Sequence, residues 1–182
     1  MKLQHFFCIY VLLGVSLIAK PALYYYDGTN KREITPENGI YADFSASSSR
    51  KNQIDPNQFK EISQQGKVKL LQARKTLQQS QTLQLSRKNK LSPVFRDVYG
   101  RNIAFPGNLI VYFPKKYSYK NIQQLAKKHN FQILRKLPMR IRNAYLIASE
   151  PGMKALETAA KIRKLPQVIS VSPSVWTKIN MR

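Results

Sequence analysis

In 182 residues the chain carries 31 Lys and Arg against 9 Asp and Glu, a formal net charge of +22 that favours a polyanion or acidic partner without naming one. One cysteine, Cys8, and two histidines exclude a disulfide framework and a His or Cys metal cluster, so no cofactor is expected. The basic residues are dispersed, with local pairs such as Lys115-Lys116 and Lys127-Lys128, which reads as a solvated basic surface rather than a nucleic-acid stripe.

At the amino terminus Lys2 precedes an apolar run from Phe6 through Ala19, interrupted only by Gly14 and Ser16 and enclosing Cys8. A spanning helix needs about 20 apolar residues to cross a hydrocarbon layer of about 30 Å. The shorter run, with Ala19 or Ala22 as the small residue a signal peptidase needs, is expected to be a cleaved signal over residues 1–22. That implies a secreted or periplasmic destination with no stable membrane anchor.

Residues 23–98 form the first expected unit. Gly39 to Phe44 reads as a strand and Ser45 to Arg50 as a polar loop. Asp55-Pro56 is expected to open a helix with Phe59 and Ile62 on its inner side and Gly66 as its stop. Lys67 to Leu71 then reads as a strand, and the Gln-rich stretch from Leu77 to Leu85 fits either element.

Residues 99–182 are better defined. Asn108 to Phe113 is a β-branched and aromatic run after Pro106-Gly107 and reads as a strand. Ser118 offers an N-cap to a helix carrying Ile122, Leu125, Ala126 and His129 at helical spacing. Phe131 to Leu137 and Asn143 to Ala148 are expected strands. A second helix from about Met153 to Lys164 buries Ala155, Leu156, Ala159 and Ile162, with Pro166 past its end. Gln167 to Ser172 closes the unit as a strand.

Leu91-Ser92-Pro93-Val94-Phe95 is echoed by Val171-Ser172-Pro173-Ser174-Val175-Trp176, and Tyr26-Asp27-Gly28 leads to Ile40 through Phe44 much as Tyr99-Gly100 leads to Ile110 through Phe113. The predicted fold is therefore α+β: a ferredoxin-like βαββαβ antiparallel sheet with two helices on one face, preceded by a degenerate copy of the same module. If Leu109, Val111, Phe113 and Leu146 face the helices, strand alternation puts Ile110, Tyr112, Tyr145 and Ile147 on the open face. Apolar residues there call for a cover, either the first unit or a separate protein.

No catalytic device is legible. A Ser-His-Asp triad needs a histidine beside its nucleophile, and beyond residue 22 only His129 remains, at the end of an expected helix. Asp27, Asp43, Asp55 and Asp97 read as turn, edge and cap residues. The chain is expected not to be an enzyme.

Taken together, Ser92 through Asp97, Gly100, Pro106-Gly107, Leu109 through Phe113, Leu125 through His129, Leu137-Pro138, Asn143 through Leu146, Pro151-Gly152, Leu156 and the ending from Ser172-Pro173 through Trp176 to Arg182 resemble the N-terminal prodomain of secreted subtilisin-like serine proteases of the fervidolysin type. The opening Leu23 through Gly28 is similar to the start of such prodomains. The resemblance implies a folding chaperone and active-site inhibitor whose partner is a subtilisin-like serine protease, and a monomer when free. It implies packing of the open sheet face, Ile110, Tyr112, Tyr145 and Ile147, against the protease. It further implies a tail of Ile179, Asn180, Met181 and Arg182 in the protease cleft, with Arg182 in the first pocket and Ile179 in the fourth. In such precursors a catalytic domain follows. Here the sequence stops at Arg182, so a stand-alone inhibitor and the detached front of a protease precursor are both open. The rival reading is a basic exported protein binding RNA or anionic lipid. Asn143 through Ala148 lacks the basic-Gly-aromatic signature of RNA-recognition modules, so no specific nucleic acid is expected.

Overall fold

The computed structural model describes residues 22–45, 54–75, 77, 81, 84, 90–139 and 143–178. Eleven strands and two helices among them form two antiparallel sheets, an α+β architecture. The expected signal segment, residues 1–21 of it, and the polar loop from residue 46 onward lie outside the described residues.

The first sheet is built by β1 (Leu23–Asp27), β2 (Asn30–Asp43), β3 (Phe59–Gln65), β4 (Val68–Ala73), β5 (Leu91–Asp97), β6 (Asn102–Ala104) and β11 (Trp176–Thr177). Its order is β11-β6-β5-β2-β4-β3, with β1 also pairing β2. The 14-residue β2 is its spine: its first half pairs β1, its second half β4, and β5 runs along the opposite edge. Pro36 has no amide hydrogen for the ladder and Gly39 has a φ of +69°, and between Pro36 and Tyr41 the β2–β5 register shifts.

The helix expected at Asp55 does not form. Instead the Asp55 carboxylate accepts from Asn57 N at 2.9 Å and its carbonyl from Gln58 N at 3.0 Å and Phe59 N at 3.1 Å, closing a turn that delivers Phe59 into β3. Gly66, read as a helix stop, has a φ of +59° and sits in the two-residue turn that pairs Gln65 with Val68. Asp-Pro followed by a distant Gly marks a turn and a hairpin as well as it marks a helix. Long-range pairing decided between them, because β4 has partners on both sides. Among the described residues before 98, the segment from Asp55 to Ala73 is thus a turn and a hairpin rather than a helix and a strand, while Gln81 and Gln84, in the stretch that fitted either element, are helical. The turn at 98–101 joins β5 to β6 within one sheet, and β11 returns to that sheet from the carboxyl end.

The second sheet comprises β7 (Asn108–Phe113), β8 (Ile133–Lys136), β9 (Asn143–Ala148) and β10 (Ser170–Pro173), in the order β10-β7-β9-β8. Helix α1 (Tyr119–Lys128) lies between β7 and β8 in the chain, and α2 (Met153–Arg163) between β9 and β10. Ser118 caps α1 as expected, its hydroxyl accepting from Asn121 N at 3.2 Å while the Asn121 side chain accepts from Ser118 N at 3.1 Å. Ile122 and Ala126 of α1, and Ala155, Leu156, Ala159 and Ile162 of α2, are buried.

The main core joins Leu109, Val111 and Phe113 of β7 to both helices, to Val171 of β10 and to Phe95, Ile103 and Phe105 at the boundary with the first sheet. Burying large side chains of this kind contributes about 1.5–3 kcal/mol each. Leu23 and Tyr25 of β1 pack against the same cluster, so it is shared by both sheets.

Candidate functional site

Cross-strand partners in an antiparallel pair project from the same face. Ile110 is opposite Leu146, Tyr112 opposite Ala144, Ser172 opposite Ile110 and Ser170 opposite Tyr112. These residues therefore share the face away from Leu109, Val111 and Phe113. Ile110, Tyr112 and Leu146 are half-buried, and none of them belongs to the three apolar clusters of the described residues.

Tyr145 and Ile147, expected on this open face, are on the helix side instead, 1% and 0% exposed within the main core. Tyr145 lies edge-on to Phe113 at 5.8 Å and stacks on Tyr119 at 5.9 Å. Burial pushes its hydroxyl pKa up, Tyr119 adds to the rise, and a hydrogen bond with Asn143 opposes it. Leu146, expected to face the helices, takes the open-face position. Ala144, Leu146 and Ala148 are apolar at one parity and Tyr145 and Ile147 at the other, so alternation alone could not choose. Pairing with β7 did.

The tail residues Ile179, Asn180, Met181 and Arg182 lie outside the described residues. What precedes them is held: Trp176 pairs with Ala104, Thr177 with Ile103, and Lys178 N donates to Asn102 O at 3.0 Å. Trp176 also meets Phe44 edge-on at 6.4 Å. Beside this strand is an open groove of about 590 Å³ bordered by Arg96, Tyr99, Arg101, Thr177 and Lys178. Its arginines are engaged, Arg96 with Glu37 and Arg101 with Asp97 at 2.7 Å. Burial by itself raises the Asp97 pKa, but hydrogen bonds from the Arg101 side chain and from the Arg101 and Tyr99 amides outweigh it and hold the carboxyl below its ordinary value.

The open face and the tail strand belong to different sheets, and a set of buried and part-buried polar links holds the two sheets together. The Ser92 hydroxyl accepts from Phe105 N at 3.1 Å, and Phe105 O accepts from Gly152 N at 2.9 Å. Across the other edge, the Ser172 hydroxyl accepts from Gly28 N at 2.7 Å. The two Ser-Pro phrases that echo each other in sequence thus lie in different sheets, each tying its strand to distant backbone. Arg163 lies 3.5 Å above the Tyr26 ring and donates to Gly28 O at 3.3 Å, fastening β1 to α2.

The four singled-out aspartates are turn residues: Asp27 ends β1, Asp43 accepts from Ser45 N at 2.7 Å, and Asp55 and Asp97 close the turns described above. His129 caps the carboxyl end of α1, its amide donating to Leu125 O at 3.0 Å. No group of three His, Cys, Asp or Glu side chains suited to a metal occurs among the described residues, nor does a helix long and apolar enough to cross a membrane.

Residues 102–174 match the family model of the fervidolysin N-terminal prodomain. The prodomain match runs from β6 through β10 and so takes in the whole second sheet, both helices and the Pro106-Gly107 and Pro151-Gly152 turns. It bears out the resemblance to subtilase prodomains over that segment and links it to subtilases as a partner class. No curated protein and no solved structure matches the chain.

Proposed function

We propose that this protein is a subtilase prodomain-like chaperone and inhibitor, secreted with or beside a subtilisin-like serine protease that it clasps rather than a substrate that it transforms. The prodomain match over residues 102–174 carries this reading. The arrangement of the second unit, with strands and helices in the order β7-α1-β8-β9-α2-β10, supports a ferredoxin-like module whose open face meets the protease.

On this reading Ile110, Tyr112 and Leu146 form the packing face, and Ile179 through Arg182 continue from β11 into the protease cleft. Main-chain hydrogen bonds to an extended tail provide affinity, while pockets for Arg182 and Ile179 provide selectivity. Four extended residues reach about 13 Å, enough to enter a cleft next to the anchored Lys178. Because the face residues are already half-buried, completing their burial contributes about 1 kcal/mol each.

The test is residual activity of a secreted subtilisin-like protease titrated with the full chain. Ile110→Lys with Leu146→Lys removes about 2 kcal/mol of apolar burial and puts two charges in the contact, so inhibition should weaken thirtyfold or more. Removal of residues 179–182 should weaken it independently. Undiminished inhibition by both variants would sink the proposal.

A further inference from the structure

The helix-covered side of the second sheet has a charge pattern that the protease-binding reading leaves unused. From Val98 through Ser149 the sequence contains ten Lys and Arg and no Asp or Glu. Lys115, Lys116, Lys120, Lys127, Lys128 and Lys136 of this stretch are exposed. Among the described residues none of them pairs with a carboxylate: the ion pairs seen there are Asp27–Arg32, Glu37–Arg96, Glu61–Lys69, Asp97–Arg101 and Glu157–Lys154.

The fold places three of these cations, Lys120, Lys127 and Lys136, on one side. Helix α1 turns Ile122 and Ala126 inward and leaves Lys120 and Lys127 outward, along an open groove of about 530 Å³ floored by Phe131 and Ile133. Lys136 is opposite Tyr145 in the ladder and therefore projects toward the helices, where Tyr119 stacks on Tyr145. Tyr119 itself remains 52% exposed at the end of the groove.

Positive charge alone would suit any polyanion. Lysines around an exposed tyrosine and a partly apolar groove suit a lipid interface better, because an anionic headgroup layer satisfies the cations while its acyl boundary accepts the aromatic ring. We infer that the α1–β8 side docks reversibly onto an anionic phospholipid surface. This side is opposite Ile110, Tyr112 and Leu146, so lipid docking leaves the proposed protease-packing face free, and the inference does not depend on the protease reading.

Co-sedimentation of the full chain with phosphatidylcholine vesicles, with and without phosphatidylglycerol, tests it. Each lysine near an anionic leaflet changes affinity by about fivefold, so Lys120→Gln, Lys127→Gln and Lys136→Gln together should weaken binding to the anionic vesicles by about a hundredfold. Lys60→Gln, Lys67→Gln and Lys161→Gln, which lower net charge equally at exposed sites elsewhere, should weaken it by less than about fivefold through long-range attraction alone. Tyr119→Ser should reduce vesicle binding while leaving heparin retention unchanged. Thermal melts confirm that each variant is folded, and the amino-terminal apolar run is common to all. Equal losses from the two triple variants would reduce the effect to net charge. Equal binding to neutral vesicles would assign it to the apolar run. A Tyr119→Ser variant that loses heparin retention and vesicle binding in parallel would make a soluble polyanion the partner. Each of these three results overturns the inference.

Discussion

Gly107 sits where the chain enters β7 and where the Ser149–Pro151 segment passes before α2, and its substitution by alanine tests how closely those backbones must approach. A Cβ there would stand 2.6 Å from Ser149 O, 2.9 Å from Pro151 N and 3.1 Å from Glu150 C. All three atoms are backbone, so no side-chain rotation relieves the overlap, and the φ of +105° is itself unfavourable for alanine. Gly66 provides the control: its φ is +59°, but nothing lies within 4 Å of its would-be Cβ. Left-handed backbone costs alanine about 1–2 kcal/mol at either position, and overpacking adds about 1–3 kcal/mol only at Gly107. Gly107→Ala should therefore destabilise the chain by about 2–5 kcal/mol and Gly66→Ala by about 1–2 kcal/mol. In a chain of this size the former corresponds to a fall in Tm of about 4–20 °C. Thermal and urea unfolding followed by circular dichroism measures both. Equal losses at the two glycines would refute the close-approach argument.

Two further outcomes follow from the polar links. Because Asp97 is held below its ordinary pKa in the folded chain, the unfolded chain takes up the proton first as pH falls, so its stabilising contribution is full above about pH 4 and is lost at lower pH. Asp97→Asn should lower stability at neutral pH and flatten the acid limb of a stability-versus-pH curve; an unchanged limb would remove Asp97 from that role. In a double-mutant cycle, Arg163→Ala and Tyr26→Leu should show about 0.5–2 kcal/mol of coupling in urea unfolding, reflecting the cation over the ring, and additive losses would dissolve that link.

The second sheet was legible because its signals are local. Ser118 followed by Ile122 and Ala126 specifies a capped amphipathic helix within three turns, and Ala155, Leu156, Ala159 and Ile162 specify the buried stripe of α2. Asn143–Ala148 was recognisable as a strand from composition alone. The Asp55 turn was misread because the same residues serve a helix start and a hairpin approach, and the difference is made by β4, which pairs both β2 and β3.

The amino-acid order by itself therefore determined where the chain coils into α1 and α2, where β7 and β9 run, and how strongly basic the surface is. Which side of β9 meets the helices, that β6 and β11 join the sheet of the amino-terminal half, and which lysines gather beside Tyr119 were decided only in three dimensions. Helix capping and the 3.6-residue period act over a few neighbouring residues. A strand's facing and partners depend on hydrogen bonds to residues far along the chain, as when Trp176 pairs with Ala104, and a strand apolar on both faces has no local preference between them.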